Sequence, residues 1–305
     1  MSKNHTFLFP GQGSQYKGMG KNILNSYAGS KKYYSTAKAI LNYDILDISI
    51  NDPQDQLDQT KFTQPAIFIN SVIKDQILKD NNIYPNAVSG HSLGEYSALV
   101  SSEVISYEDA LRIIKIRSKE MQNAGESNNG GMLAVLGATK EQIDQICNKS
   151  KMLVPANYNS NDQIVLSGDS ESIQNAVPLF KEIGIKRVIR LKTSGAFHSP
   201  LMKSARNSLT KVIKSIEFKD AKIPIYQNTY PLPETKAENI KLNLIKQLES
   251  PVYWNDTILN MEKNNLNIFI EVGPGQVLSK LNKKISDNSN IITFDTASIN
   301  HESIN

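Results

Sequence analysis

The 305-residue sequence predicts an α/β fold with two parts: a large domain built on a mainly parallel sheet, and a small domain inserted into it. Two patterns lead to this prediction. Short apolar strands alternate with helical patterns in the first and last thirds of the chain, which is typical of a parallel sheet covered by helices on both faces. In the middle third the order changes to strand, helix, strand, strand, helix, strand, the order of ferredoxin-like domains.

In the first third, the predicted strands and helices surround one sharp turn. Thr6–Phe9 predicts a strand that runs into the loop Pro10–Gln15, whose glycines let the backbone approach a ligand closely. A second short strand ends at Gly90. The predicted helices of this part are Lys21–Leu41, Thr63–Leu78 with Pro65 in its first turn, and Tyr107–Asn123 with its cap near Ser106.

The middle of the chain predicts the small domain. Glu126–Gly131 contains Ser-Asn-Asn-Gly-Gly, so we expect a flexible joint there. The predicted strands that follow are Met132–Ala138, Leu153–Tyr158, Gln163–Ser167 and Arg187–Leu191, and the predicted helices are Lys140–Lys149 and Ser170–Ile183. We therefore assign residues 127–195 to the ferredoxin-like domain, and residues 1–126 and 196–305 to the large domain.

The last third returns the chain to the large domain. Its predicted helices are Leu201–Ile213, Asn239–Leu248 and Asn255–Asn264, and its predicted strands are Ile223–Asn228 and Asn267–Val272. Beyond Ile285 the chain is polar, apart from the short apolar run Ile291–Phe294. We expect the last half-dozen residues to be frayed.

Composition excludes several classes of protein. The balance of 34 basic to 30 acidic residues is too even for a nucleic-acid-binding protein. No apolar run reaches the roughly 18 residues that span a bilayer, and Met1–Phe9 lacks the apolar stretch of a signal peptide. The single cysteine, Cys147, fits a reducing compartment. We therefore expect a soluble, cytoplasmic protein that binds neither nucleic acids nor membranes.

The segment Ala87–Leu99 has the form of a nucleophile elbow, as in the α/β hydrolases. Its centre reads Gly90-His91-Ser92-Leu93-Gly94, between an apolar strand and a helical pattern. A serine at such a turn has a strained backbone, and the two glycines avoid a collision between the strand and the helix. The Leu93 N–H and the helix N-terminus then stabilise an oxyanion beside the serine. The sequence therefore predicts that Ser92 is a nucleophile.

Ser92 needs a base, because a serine hydroxyl is a weak nucleophile at neutral pH. Of the four histidines, His91 adjoins the serine, His5 precedes the first strand and His301 lies near the C-terminus, which leaves His198. We find no acidic residue with a convincing context for a triad. We therefore predict a Ser92–His198 dyad, in which a backbone carbonyl can replace the carboxylate that orients the imidazole.

Five motifs follow one another along the chain. They are Phe9-Pro10-Gly11-Gln12-Gly13-Ser14-Gln15, Gly90-His91-Ser92-Leu93-Gly94-Glu95, Arg117 with Met121-Gln122, Gly195-Ala196-Phe197-His198-Ser199, and Glu271-Val272-Gly273-Pro274-Gly275. Together they resemble the motifs of the malonyl-CoA:acyl carrier protein transacylases of type II fatty acid synthesis, and the resemblance spans nearly the whole chain.

The resemblance implies a role for each matching residue. Ser92 matches the nucleophile and His198 the base, while the backbone N–H groups of Gln12 and Leu93 match the oxyanion hole. Arg117 matches the arginine that pairs with the free malonyl carboxylate, a task that suits the planar guanidinium fork. The carbonyl that orients the histidine matches Gln247.

The resemblance also implies the reaction and its partners. Ser92 would take a malonyl group from malonyl-CoA and pass it to the phosphopantetheine thiol of acyl carrier protein, in a ping-pong sequence that needs no metal or bound cofactor. Because acyl carrier proteins are acidic, a basic rim would steer docking. The candidates are Lys186, Arg187, Arg190 and Lys192, of which only two are expected to share a face of the strand.

Two other functions stay open on the sequence alone. One is a serine thioesterase or hydrolase on the same elbow, although Arg117 and the missing acid argue against it. The other is a module that docks carrier protein without turnover. Intact Ser92, His198 and Arg117 argue against that alternative.

Overall fold

Two β-sheets and a set of surrounding helices make up the part of the chain that the structure describes. The computed structural model describes residues 4–288 and 290–294. Within these residues the strands are β1 (His5–Phe9), β2 (Ala87–Gly90), β3 (Gly130–Leu136), β4 (Leu153–Ser160), β5 (Gln163–Asp169), β6 (Arg187–Arg190), β7 (Ile225–Gln227), β8 (Tyr230–Glu234), β9 (Ile268–Val272) and β10 (Asn290–Phe294).

The helices of the same residues connect these strands. They are α1 (Lys21–Ser26), α2 (Ser30–Leu41), α3 (Ile45–Ile50), α4 (Thr60–Asp80), α5 (Gly94–Ser101), α6 (Tyr107–Asn128), α7 (Lys140–Cys147), α8 (Ser170–Glu182), α9 (Lys203–Ser215), α10 (Ala237–Lys246), α11 (Trp254–Lys263) and α12 (Val277–Ile285). Single 3₁₀ turns at Pro200–Met202 and Gln247–Glu249 precede α9 and follow α10. None of these helices is long and apolar enough to cross a membrane.

The larger sheet has the strand order β10-β9-β1-β2-β7-β8. Its first five strands are parallel, and β8 pairs antiparallel with β7 at the edge. The smaller sheet has the order β4-β5-β3-β6 and is antiparallel throughout. A mainly parallel sheet and a separate antiparallel sheet confirm the predicted fold class, including the ferredoxin-like order of strands and helices in the second unit.

The central strand β1 shows why the larger sheet is buried on both faces. Phe7 and Phe9 point into one apolar core and Leu8 into another, because successive side chains of a strand alternate. The smaller sheet also has two different faces. Leu133 and Val135 pack under α7 and α8, whereas Ala134 of the same strand joins the main core of the large unit. The inner face of the smaller sheet therefore packs into the same apolar core as the larger sheet.

Several details of the prediction are wrong. No flexible joint lies at residues 126–131: α6 continues to Asn128, Asn129 caps it in the left-handed region, and β3 begins at Gly130. Helix α4 begins at Thr60, so Pro65 lies in its second turn, not its first. The cap of α6 is confirmed, since the Ser106 side chain accepts from the N–H of Asp109.

Four elements were not predicted: α3, β8, α12 and β10, the last of which appeared in the sequence only as the apolar run Ile291–Phe294. Strand β8 contains Pro231 and Pro233, which a strand tolerates only at a sheet edge. The amide groups at the start of α12 are capped from another element, because Glu271 of β9 accepts from the N–H groups of Leu278 and Ser279. The predicted fraying of the last half-dozen residues lies outside the described residues.

Candidate active site

The turn after β2 has the geometry of a nucleophile elbow. Ser92 has a φ of 50°, in the left-handed region that non-glycine residues rarely occupy. A Cβ on Gly90 would lie 1.9 Å from the backbone carbon of Gly94, and a Cβ on Gly94 would lie 2.0 Å from the carbonyl oxygen of Phe9. Both glycines are therefore required for α5 to start so close to β1 and β2.

The imidazole of His198 lies beside the serine hydroxyl. Nε2 of His198 is 2.8 Å from Oγ of Ser92. Its Nδ1 is 2.9 Å from the carbonyl oxygen of Gln247 and 3.1 Å from that of Ser250. Because a carbonyl can only accept, Nδ1 carries the proton, and Nε2 is left to accept the Ser92 O–H.

The environment of His198 keeps its imidazole neutral. The residue is 3% exposed, and burial, followed by the positive charge of Arg117, lowers the pKa of His198 from its ordinary value near 6.5 to about 3. The two carbonyl contacts act in the opposite direction, because they favour the protonated ring. A neutral imidazole can accept a proton, as a general base must.

The backbone of His198 is also strained, with a φ of 57°. Two serine hydroxyls hold the peptides next to it. Ser167 of β5 donates to the carbonyl of Phe197, and Ser199 donates to the carbonyl of Ala196 at 2.6 Å. The antiparallel sheet therefore supports the segment that carries the histidine.

Arg117 lies on the buried face of α6, one turn from Ile113, Ile114 and Met121, and it is 1% exposed. Its Nη2 donates to Oγ of Ser92 and to Oε1 of Gln247, each at 3.1 Å. Its guanidinium carbon lies 5.3 Å from the centre of the Tyr96 ring, a cation–π distance. Nε of Arg117 is buried without a hydrogen-bond partner among the described residues, so an additional acceptor would satisfy it.

Gln247 contacts all three of these residues. Its backbone carbonyl accepts from His198, its Oε1 accepts from Arg117, and its Nε2 donates to the carbonyl of Ser92 at 2.9 Å. The sequence motif pointed only to the backbone carbonyl. The side-chain contacts carry no sequence signal, because α10 and the turn after it are remote from the elbow in the chain.

A cavity of about 210 Å³ opens in front of Ser92 and His198, between the two sheets. Gln12 lines it, together with His91 and residues of the smaller sheet. The Gln12 side chain donates to Thr60 Oγ1 at 3.2 Å, which leaves its backbone amide as the group of interest. Leu93 is buried just before α5, where backbone N–H groups have no partner within the helix.

The four basic residues proposed for docking are all exposed. Because paired residues of antiparallel strands share a face, Arg187 lies on the side of Leu136, and Arg190 lies on the side of Leu133 under α7 and α8. Leu191 and Thr193, which continue β6, line the cavity. Arg187 and Arg190 therefore lie on opposite faces of β6, and Arg187 is on the face that the strand shares with the cavity-lining side chains after it.

Within residues 4–288 and 290–294, no three or more His, Cys, Asp or Glu side chains form a group that would hold a metal ion.

A further residue near Ser92 was not predicted. Asn228, directly after β7, accepts from the N–H of Ser92. The only signal available was its position at the carboxyl end of a strand beside β2, where parallel sheets carry their sites.

Comparisons with known proteins agree with this geometry. A profile described as "Acyl transferase domain" matches residues 6–296. The malonyl CoA-acyl carrier protein transacylase of Staphylococcus aureus (strain MRSA252) is 39% identical over 300 residues, which cover 97% of this chain and 96% of that protein.

Solved structures are similar over the same length. The crystal structure of an acyl carrier protein S-malonyltransferase from Vibrio cholerae superposes with a TM-score of 0.94 at 35% identity, covering 98% of this chain and 100% of that one. A malonyl-transacylase in complex with its type II PKS acyl-carrier protein superposes with a TM-score of 0.92 at 33% identity, over 96% of both chains. The chain therefore belongs to the acyl transferase domain family and, within it, to the malonyl-CoA:acyl carrier protein transacylases.

Proposed function

We propose that this enzyme moves a malonyl group from coenzyme A to the phosphopantetheine thiol of acyl carrier protein, supplying fatty acid synthesis, with Ser92 as the carrier of the group in between. The observation that supports Ser92 most directly is the 2.8 Å contact between its Oγ and Nε2 of a neutral, buried His198. A nucleophile and a base at this distance can exchange a proton as the new bond forms.

In the first half-reaction, Oγ of Ser92 attacks the thioester carbonyl carbon of malonyl-CoA while its proton passes to Nε2 of His198. The carbonyl oxygen becomes an oxyanion that accepts from the backbone N–H groups of Gln12 and Leu93. When the C–S bond breaks, the imidazolium returns its proton to the leaving coenzyme A thiolate. The products are a malonyl ester on Ser92, free coenzyme A and neutral His198.

The second half-reaction reverses these steps with a different thiol. His198 takes the proton of the phosphopantetheine thiol, and the sulfur attacks the ester carbonyl. Ser92 leaves and recovers its proton from the imidazolium. No metal or bound cofactor takes part in this proposal, because a nucleophile, a base and oxyanion donors are sufficient for acyl transfer between thiols.

Arg117 selects the malonyl group in this proposal. Its buried guanidinium lies within hydrogen-bond distance of Ser92, and its Nε has no partner among the described residues, so a carboxylate two bonds beyond the ester carbonyl can complete the site. A buried cation without a carboxylate partner is costly, and the substrate supplies that charge. Acyl groups that lack the carboxylate leave this cost in place.

Carrier protein docks, in this proposal, on the basic residues Lys186, Arg187, Arg190 and Lys192. Their support is the course of β6, whose continuation lines the cavity with Leu191 and Thr193. An acidic partner attracted to this strand is held next to the mouth of the cavity.

A thioesterase and a docking module without turnover are not favoured, because the relatives that match the whole chain are named as transacylases.

We also propose that residues 1–126 and 196–305 form the large domain and that residues 127–195 form the small domain. The strands that make up the two sheets support this division. A cytoplasmic location belongs to the same proposal, and the single cysteine of the chain supports it.

Mass spectrometry after incubation with malonyl-CoA tests the function. We expect the wild-type chain to gain one malonyl group on the peptide that contains Ser92, and to lose it when acyl carrier protein is added. The Ser92→Ala variant should gain none. A wild-type chain without added mass, or release of free malonate faster than transfer to the thiol, would contradict the proposal.

A further inference from the structure

The strained peptide of Ser92 is held by a single buried amide side chain. Oδ1 of Asn228 accepts from the N–H of Ser92, and Nδ2 of Asn228 donates to the carbonyl of Gly90, both at 2.6 Å. These two backbone groups lie on either side of the turn, at the end of β2 and at the nucleophile itself. One side chain therefore spans the elbow.

Asn228 is itself held in place. It is 2% exposed and follows β7, the strand that neighbours β2 in the sheet. Its backbone N–H donates to Oε2 of Glu95 at 2.8 Å, and Oε1 of the same buried carboxylate accepts from Gln227 at 3.0 Å. Glu95 lies in the first turn of α5, so the chain of contacts links β7, the elbow and the helix that follows it.

We propose that Asn228 is a positioning residue for the nucleophile: its amide keeps the Ser92 backbone in the left-handed conformation that aims Oγ at His198. This inference rests on the proposed function for its kinetic consequence. Among the described residues Asn228 forms no hydrogen bond with His198 or Arg117 and does not itself line the cavity, so it acts through Ser92.

The backbone chemistry explains why this position needs an amide. Ser92 lies in the turn between β2 and α5, and Gly90 is the last residue of β2, so the Ser92 N–H and the Gly90 carbonyl need partners from outside these two elements. A side chain that donates and accepts at once satisfies both groups. The Asn228 bond also occupies the Ser92 N–H and leaves the Leu93 N–H as the elbow amide for an oxyanion.

The test compares Asn228→Leu and Asn228→Asp with the wild type, and uses Asn282→Leu as a matched control. Asn282 is an equally buried amide, 0% exposed, that accepts from the Trp254 indole and forms no hydrogen bond with the backbone of Gly90 or Ser92 among the described residues. We expect Asn228→Leu to slow malonyl-Ser92 formation about a hundredfold, the effect of a misplacement of about 1 Å, with KM for malonyl-CoA changed less than twofold. Asn282→Leu should keep the wild-type rate even where it lowers Tm equally.

The aspartate variant adds a signature that a purely structural role would not give. An ionised Asp at position 228 accepts from Ser92 but cannot donate to Gly90, whereas the neutral acid can do both. Glu95 is the ionisable side chain in contact with this position among the described residues, and it disfavours a second negative charge. We therefore expect the rate of Asn228→Asp to rise about tenfold as the pH falls from 8 to 5.5, while the wild-type rate stays level.

Each outcome decides the inference. An Asn228→Leu rate within threefold of wild type, or an equal loss in Asn282→Leu, would overturn it. If Asn228→Leu does not fold, Asn228→Asp decides alone: no deficit at pH 8, or a deficit that low pH leaves unchanged, also overturns the inference. Labelling of Ser92 by a fluorophosphonate, measured in parallel, separates the two proposals. A wild type that reacts with the fluorophosphonate but gains no malonyl group contradicts the function, while the ratio of labelling rates still tests Asn228.

Discussion

Gln247 illustrates how a single residue can serve an active site through both its backbone and its side chain. The carbonyl orients His198, and the amide joins Arg117 to the backbone of Ser92. The two contributions can be separated by substitution, because the carbonyl survives any change of side chain. The side chain should then affect the choice of acyl group, whereas the carbonyl affects the base.

Gln247→Met is expected to weaken the preference for malonyl-CoA over acetyl-CoA about tenfold, since Arg117 loses the acceptor that fixes its orientation, a contact of about 1.4 kcal/mol. The rates of acyl-enzyme formation from the two thioesters measure this preference. Gln247→Glu is the contrasting variant: its carboxylate would pair with Arg117 and compete with the malonyl carboxylate, so the preference for malonyl-CoA should also fall there. An unchanged preference in Gln247→Met would show that Arg117 needs no support from this side chain.

The low pKa of His198 gives a pH prediction. Because its imidazole stays neutral until the pH approaches 3, the rate of malonyl-Ser92 formation should stay constant from pH 8 to pH 5. Rapid-quench measurement of coenzyme A release checks this, and a loss of rate centred near pH 6.5 would contradict it.

The free energy of unfolding, unlike the rate, should depend on pH in this range. The unfolded chain protonates this histidine near pH 6.5 and the native chain does not, so the free energy of unfolding should decrease as the pH falls from about 6.5 toward 3.

The site residues that could be predicted are those that a local sequence motif marks. Ser92 lies in a turn whose glycines mark it, and His198 was reached by elimination among four histidines. The role of Arg117 was predicted only through a resemblance, since its helix also carries exposed Arg112 and Lys119. Asn228 lies far from the elbow in the chain, so only the pairing of β7 with β2 brings it there.

At the scale of elements, the elbow depends on the close approach of α5 to the sheet. Gly94→Ala would place a Cβ 2.0 Å from the carbonyl oxygen of Phe9, and neither backbone can move without the other. We expect the substitution to lower the free energy of unfolding by about 3 kcal/mol and to abolish malonylation.

Gly184→Ala provides the control for this prediction. Gly184 has a φ of 88°, and no atom lies within 4 Å of its added Cβ, so backbone strain of about 1 kcal/mol is the expected cost. Chemical denaturation of both variants measures the difference. Equal destabilisation by the two substitutions would mean that crowding does not restrict the elbow.

Most elements were predicted within a few residues, and two of those missed depend on contacts from elsewhere in the fold. In the smaller sheet, β3 and β5 contain the apolar runs Met132–Leu136 and Ile164–Leu166, and α8 has a strong amphipathic pattern. By contrast, β8 forms at an edge that tolerates its prolines, and α12 is capped by Glu271 from another strand. Such support comes from tertiary structure, which local patterns do not record.

At the scale of the whole molecule, the cavity lies between the two sheets, and Leu191 and Thr193, directly after β6, line it. Arg187→Glu is expected to lower kcat/KM for acyl carrier protein about tenfold at low salt, with the deficit shrinking as salt screens the charge. Transfer to free pantetheine should be unaffected, because that acceptor has no acidic surface. Lys31→Glu on α2 makes the same change of net charge outside the smaller sheet, and a matching loss there would assign the effect to overall charge.

The path of the chain into and out of the smaller sheet has a consequence for how such a molecule is assembled. A Cβ on Gly195 would lie 2.6 Å from the Cα of Gly125, and one on Gly130 would lie 2.8 Å from the Cβ of Ala196. The segments that lead into and out of the smaller sheet therefore lie next to each other. An insertion of about seventy residues at this place would leave the two ends of the large domain close together. The proposed small domain includes Ser167, whose hydroxyl donates to the carbonyl of Phe197 beside His198, so this domain supports the loop that carries the proposed base of the large domain.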